Sequence, residues 1–96
     1  MKYKIGILKN ESPNDHKLWI EACKKKSNLI EYEIIEFTKD DWLTKLEDTK
    51  FDILLTRPPG LVSRYKQLYD ERIWIVSNVM KKNIYPTLQE IFLYEN

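Results

Sequence analysis

The chain has 96 residues, of which 43% are hydrophobic and 32% are charged, and its 16 lysines and arginines nearly balance its 15 aspartates and glutamates. At this length one hydrophobic core is expected, and a multi-domain architecture is excluded. A formal net charge of +1 gives no strong field for a phosphate backbone or an anionic membrane surface, so nucleic acid and membranes are not expected partners.

Cysteine content and hydropathy exclude further classes of protein. Cys23 is the only cysteine, which excludes an intramolecular disulfide and a zinc site built on several thiolates. No apolar run is long enough to cross a bilayer, and the N-terminus has no signal-peptide pattern. A cytoplasmic protein is therefore expected.

The first part of the chain predicts a strand followed by a helix. Residues 3–8 form an apolar run in which Gly6 indicates close packing against the strand. Ser12 followed by Pro13, with Asp15 behind it, predicts a helix N-terminus, because a hydroxyl acceptor precedes a proline at the first helical position. The buried face of this helix is expected to contain Leu18, Trp19, Ala22 and Cys23.

The middle of the chain repeats the alternation. Residues 31–37 predict a second strand, and Asp40 or Asp41 is expected to cap a short helix. One side of that helix carries the apolar residues Trp42, Leu43 and Leu46. Residues 51–55 predict a strand buried on both faces, because they form a compact apolar run that stops at the proline-containing residues 56–60.

The last part predicts two helices around a very short strand. A helix is expected to begin at Asp70 and to end at Asn83, with Asn83 itself in a left-handed backbone conformation. Its inward residues are Ile73, Val76, Ser77 and Met80. Residues 84–86 predict the fourth strand, and Thr87 with Glu90 forms a capping box for the last helix.

Four successive strand–helix units predict an α/β, Rossmann-like, three-layer domain with a four-stranded parallel sheet and helices on both faces. Ligands of such sheets bind at the carboxyl ends of the strands, near the point where the strand order reverses. That rule selects polar residues that follow the first, third and fourth strands as candidate substrate-binding residues: Lys9, Asn10, Ser12, Arg57 and Tyr85. No catalytic, cofactor-binding or metal-binding residue is predicted.

Arg57 is the most specific of these candidates. Its guanidinium stands next to two prolines on a stiff backbone and can hold a carboxylate or phosphate with two hydrogen bonds. The alternative is that Arg57 pairs with a local carboxylate while the prolines turn the chain. His16 can act as a proton shuttle at a ligand edge, but it is expected to be a solvated polar residue, and Cys23 a small packed one.

The sequence excludes two classes of protein, those that bind nucleotides through glycine-rich loops and the phosphoacceptor receiver domains. Gly6 and Gly60 are the only glycines, too few for a dinucleotide-binding G-x-G-x-x-G turn or a G-x-x-x-x-G-K-[ST] phosphate loop. A phosphoacceptor receiver domain needs acidic residues after the first strand and an aspartate after the third. This chain has Lys9 and Arg57 in those regions.

Four segments in the second half of the chain carry a family resemblance: Arg57-Pro58-Pro59-Gly60, then YDERIWIV at 69–76, IYPTL at 84–88 and IFLYEN at 91–96. With these segments the chain resembles the N-terminal, pre-ATP-grasp domain of ATP-grasp ligases. The branch it is most similar to includes glutathione synthetase and the ribosomal-protein glutamate ligases. The first half is similar only in its strand–helix order.

The resemblance implies a Rossmann-like lobe that shapes one wall of the acceptor-substrate site in a carboxylate–amine ligase. ATP and Mg²⁺ are implied for the full-length parent, bound by ATP-grasp lobes of the same polypeptide, with no cofactor in this chain. The chain is then expected to be a fragment that is not catalytic alone. Its expected partners are those lobes, a small-molecule or peptide carboxylate or amine, and a possible second copy at apolar surface around Phe92, Leu93 and Tyr94.

The alternative, from a different functional class, is a free-standing flavodoxin-like binding or adaptor module. Such a module is expected to pair through an exposed face of its sheet and can be dimeric. A standalone hydrolase or transferase is disfavoured, because the sequence shows no set of nucleophile, base and oxyanion donors.

Overall fold

The computed structural model describes residues 2–12, 14, 16–57 and 63–95, the last four as backbone only. Within these ranges strands and helices alternate. Their order is β1 (Tyr3–Lys9), α1 (Lys17–Lys25), β2 (Ile30–Glu36), α2 (Trp42–Asp48), β3 (Ile53–Thr56), α3 (Lys66–Trp74), β4 (Ile84–Tyr85) and α4 (Leu88–Glu95). A π-helical turn, Ile75–Val79, continues α3 without a break. None of the described helices has the length and apolarity needed to cross a membrane.

The four strands form one parallel sheet in the order β2-β1-β3-β4, which confirms the predicted α/β, Rossmann-like fold. β1 pairs with β2 over its whole length, and its Ile5 and Leu8 lie opposite Ile53 and Thr56 of β3. The chain therefore leaves β1 toward one edge of the sheet and later returns to the other side of β1. The strand order reverses between β1 and β3.

The larger core lies on the sheet face covered by α2 and α3. Its buried members are Leu8, Ile35, Phe37, Trp42, Leu46, Leu54, Tyr69, Ile73, Val76, Ile84 and Ile91. Phe37 meets Trp42 and Tyr69 edge to face, with ring centroids 5.2 and 5.0 Å apart. Right-handed crossovers place α1 on the opposite face, where Ile7 and Cys23 are buried outside this cluster.

The first helix begins later than its sequence pattern predicts. α1 starts at Lys17, so Ser12 is not its N-cap; the Ser12 backbone N–H donates to Asn10 Oδ1 at 2.8 Å within the preceding loop. The cap position is occupied by His16, whose carbonyl accepts the Ile20 N–H at 3.0 Å. The predicted roles of Pro13 and Asp15 lie outside the described residues.

The buried face of α1 also differs from the prediction. Leu18 is 78% exposed and Ala22 is exposed, whereas Cys23 is buried as predicted. The inward residues are 16, 19, 20 and 23, which are spaced three and four apart and so lie on one face of the helix. Because successive residues are rotated by about 100°, residue 18 lies off this face.

The remaining elements agree with the predicted order, with local differences. α2 starts after Asp41 and buries Trp42 and Leu46, but Leu43 is 37% exposed. In β3, Leu54 is buried on one face while Ile53 and Leu55 are only half-buried on the other, so burial on both faces was wrong.

The helix predicted from Asp70 begins at Lys66, and Asp70, one turn inside it, forms an ion pair with Lys66 instead of capping. Its inward residues agree in part: Ile73 and Val76 are buried, and Ser77 and Met80 are half-buried. The left-handed residue is Lys81, at φ 56°, rather than Asn83.

The last helix begins as predicted. The Thr87 N–H donates to Glu90 Oε1 at 3.1 Å, and the Glu90 N–H donates to Thr87 Oγ1 at 3.3 Å, which is a capping box. The side chains of residues 92–95, and with them the apolar patch expected around Phe92, lie outside the described part of the structure.

Candidate functional site

The carboxyl ends of β1 and β3 are the place where this topology can bind a ligand. These strands are neighbours, yet the chain leaves β1 for α1 on one sheet face and leaves β3 for α3 on the other. Parallel α/β sheets bind ligands where successive connections diverge in this way. We call this region, with Asn10, Ser12, His16, Thr56 and Arg57, the switch-point site.

Asn10 links the two loops of the switch-point site. It is only 2% exposed, and its Nδ2 donates to the Arg57 carbonyl at 2.7 Å while its Oδ1 accepts the Ser12 N–H. A second link lies farther out, where Ser63 Oγ donates to Glu11 Oε1 at 2.6 Å. The structure thus brings together three of the predicted residues, Asn10, Ser12 and Arg57.

A pair of buried hydroxyl groups lies beneath the strand ends. Thr56 and Tyr69 are fully buried, and Thr56 Oγ1 is hydrogen bonded to Tyr69 Oη. The same Tyr69 hydroxyl donates to the Leu8 carbonyl at 3.2 Å, so it joins α3 to the ends of both central strands. Sequence reasoning missed both residues. The available signals were a threonine at the end of an apolar strand and a tyrosine at helical spacing from Ile73.

His16 is buried, with an exposure of 1%, which corrects the expectation of a solvated residue. The cause is the later start of α1, which places His16 at the helix N-terminus instead of in an exposed first turn. Its ring lies 6.0 Å from that of Trp19, at an angle of 55°. His16 is therefore a packed part of the wall formed by α1.

Lys9, Arg57 and Tyr85 are three of the predicted residues that are at least partly exposed to solvent. Lys9 ends β1, half-buried, with its Nζ 4.0 Å from Glu36 Oε1. Arg57 follows β3 and is exposed. Tyr85 lies one strand farther, on β4, where it is 54% exposed and in register with Leu55. Tyr85 is thus beside the switch-point site rather than within it.

The described side chains of the switch-point site offer charge and hydrogen bonds to a ligand. Arg57 and Lys9 supply positive charge at the strand ends, and Asn10 fixes the loops between them. Burial raises the pKa of the Cys23 thiol above its ordinary value, because the apolar surroundings disfavour the thiolate, so Cys23 is a packed residue as predicted. In the part of the chain that the structure describes, no three His, Cys, Asp or Glu side chains cluster as metal ligands.

Comparisons with known proteins add no relative. No protein-family model, curated protein or solved structure matches the chain. Function is therefore inferred from the residue pattern, the fold and the switch-point site.

Proposed function

We propose that the chain is the substrate-side, pre-ATP-grasp domain of an ATP-dependent carboxylate–amine ligase. The observation that supports this most is the position of Arg57. The first residue of the resembling segment Arg57-Pro58-Pro59-Gly60 follows β3 directly, at the switch point, and its backbone is bonded to the loop after β1. A cation at that position is suited to the carboxylate of an acceptor substrate.

Arg57 is the residue that recognises the substrate in this proposal. A guanidinium and a carboxylate can form two parallel hydrogen bonds, which fixes orientation as well as supplying binding energy. Lys9 adds positive charge from the neighbouring strand end, and the exposed Tyr85 provides an aromatic surface one strand away. The substrate is a small molecule or peptide that carries a carboxylate or amine.

The bond-forming chemistry belongs to other lobes of the ligase in this proposal. ATP and Mg²⁺ supply the activation of the carboxylate when they are bound there. The described residues of this chain offer no cluster of three metal-ligating side chains, and the two glycines in the sequence are too few for a glycine-rich phosphate loop, so none of these residues is assigned a role in holding Mg-ATP. A cytoplasmic location is part of the proposal, since its one cysteine suits a reducing compartment.

The experiment is an ATP-turnover assay on the protein encoded by the full reading frame. That frame is expected to encode ATP-grasp lobes after Asn96, and ADP release is expected only when both a carboxylate and an amine are supplied, from a panel of amino acids and dipeptides. Arg57→Ala is expected to raise the KM for one substrate by roughly tenfold, the loss of about 1.4 kcal/mol of binding.

Arg64→Ala is the matched control. Arg64 is also exposed and lies seven positions farther along the chain, where its guanidinium stacks on the Tyr65 ring at 4.9 Å. Its replacement is expected to leave both KM values within a factor of about two. A reading frame without ATP-grasp lobes, or equal KM changes in the two variants, contradicts the proposal.

The second candidate function is a free-standing flavodoxin-like binding or adaptor module. The observation in its favour is apolar surface on the α1 side of the sheet, where Tyr85 is 54% exposed, Ile34 is 36% exposed and Leu55 is half-buried. A stop codon directly after Asn96, together with a dimer in analytical ultracentrifugation, supports this candidate over the ligase domain.

A further inference from the structure

We infer that Asn10 is the residue that positions Arg57, by holding its backbone from the opposite loop of the switch-point site. The inference rests on the proposed function, because it assigns to Asn10 the task of orienting the substrate-binding guanidinium. The two residues are 47 positions apart in sequence, and the 2.7 Å bond from Asn10 Nδ2 to the Arg57 carbonyl joins them directly.

The burial of Asn10 explains why this bond is effective. With 2% of its surface exposed, Asn10 has little access to water that would compete for the amide. Its Oδ1 accepts the Ser12 N–H at 2.8 Å while its Nδ2 donates across the site, so both halves of the amide hold main chain. A buried amide that lost either partner would carry the cost of an unsatisfied polar group.

A second restraint acts on Arg57 from the other side. Pro58 follows it in the sequence, and a residue before proline is confined largely to extended conformations. The backbone of Arg57 is therefore restrained twice, by the bond from its carbonyl to Asn10 and by the proline that follows it. A guanidinium carried on a restrained backbone loses less conformational entropy when a ligand binds.

The site contains its own control for this inference. Ser63 Oγ donates to Glu11 Oε1 at 2.6 Å and links the same two loops, but both groups are in contact with solvent. An exposed hydrogen bond of this kind competes with water and restrains the loops weakly. Ser63→Ala therefore removes a link between the loops, and with it the hydrogen bond that Ser63 Oγ accepts from the Tyr65 N–H at 3.1 Å, without touching the bond that holds Arg57.

The test is ¹³C relaxation of the Arg57 carbonyl carbon, the group that accepts the bond, in the 96-residue chain and three variants. In the wild type and in Ser63→Ala, we expect an order parameter of about 0.85, and in folded Asn10→Ala a fall to below about 0.6. Asn10→Asp keeps the acceptor for Ser12 and loses the donor to Arg57, so it is expected to behave like Asn10→Ala. An ordered Arg57 carbonyl in either folded Asn10 variant overturns the inference.

A measurement on the wild type covers the case in which the variants fail to fold. One side-chain amide proton of Asn10 is expected to exchange with solvent at least roughly tenfold more slowly than those of the exposed Asn28, because it is buried in the bond to Arg57. Equal exchange rates overturn the inference.

Succinate serves as the carboxylate probe, observed at the Arg57 Nε–H. Asn10→Ala is expected to weaken its binding by roughly fivefold or more, and Ser63→Ala by less than about twofold. Unchanged affinity in a folded Asn10→Ala overturns the inference. If succinate fails to bind at Arg57 in the wild type, the proposed function loses its site, while the order parameters still decide whether Asn10 holds Arg57.

Discussion

Gly6 illustrates how a residue without a side chain lets its neighbours pack closely against a strand. It lies in the middle of β1, opposite Leu54 of β3, and a methyl group at its Cα would come within 2.6 Å of Leu54 Cδ2 and 3.1 Å of Phe51 Cδ1. The neighbouring side chains therefore occupy the space that any other residue needs. The prediction from sequence, that Gly6 marks close packing, is confirmed.

Gly6→Ala is expected to lower the free energy of unfolding by about 1–3 kcal/mol, because the added methyl group must displace packed core atoms. Urea denaturation followed by circular dichroism measures the change. Leu54→Val is the control, since it removes the clashing end of that side chain at a cost of its own. The free energy of unfolding that the double variant loses is expected to be about 1 kcal/mol smaller than the sum of the losses in the two single variants. Strict additivity would mean that the two residues do not compete for space.

The residues of the candidate site were predictable in type but not in role. Polar residues after β1 and β3 follow from the ends of apolar runs, and so Asn10 and Arg57 were identified. The bond between them was not predictable, because it depends on β3 returning beside β1 rather than beside β2. The burial of His16 was missed for a related reason: it follows from where α1 begins.

At the scale of elements, the start of α4 was predicted correctly, whereas the start of α1 was not. The capping box of Thr87 and Glu90 specifies the start of α4 with reciprocal hydrogen bonds. At the predicted start of the first helix, the Ser12 N–H donates to Asn10 Oδ1, and α1 begins only at Lys17. The π-helical turn after α3, closed by the Met80 N–H to the Ile75 carbonyl at 2.9 Å, has no sequence signal of this kind.

Because α1 starts late and turns Leu18 outward, Leu18 is expected to contribute far less to stability than a buried leucine of α2. Leu18→Ala is expected to change the free energy of unfolding by less than about 0.5 kcal/mol, because Leu18 is 78% exposed. Leu46→Ala, at a fully buried position of α2, is expected to cost about 2–5 kcal/mol. Thermal and urea unfolding of both variants provides the comparison. A large loss at Leu18 would show that α1 packs through the face first predicted from its sequence.

For the whole molecule, the order of the strands decides what the residues can do together. Local patterns predict four strand–helix units, and the handedness rule then limits the topology, but which strand lies beside β1 is fixed by packing between distant segments. The order β2-β1-β3-β4 brings the loops after β1 and β3 side by side, with Arg57 at the surface and Asn10 beneath it. That juxtaposition is the basis of the substrate-binding role that we propose.

The most direct test of this account is an NMR titration of the 96-residue chain with succinate, with its neutral analogue succinamide, and with Mg-ATP. We predict that succinate shifts the Arg57 Nε–H and the backbone amides of residues 10–12, that succinamide shifts neither, and that Mg-ATP produces no saturable change at micromolar concentration. Saturable binding of Mg-ATP in the micromolar range, or a succinate response that leaves Arg57 unchanged, would contradict the assignment of this chain as the substrate-side domain of a ligase.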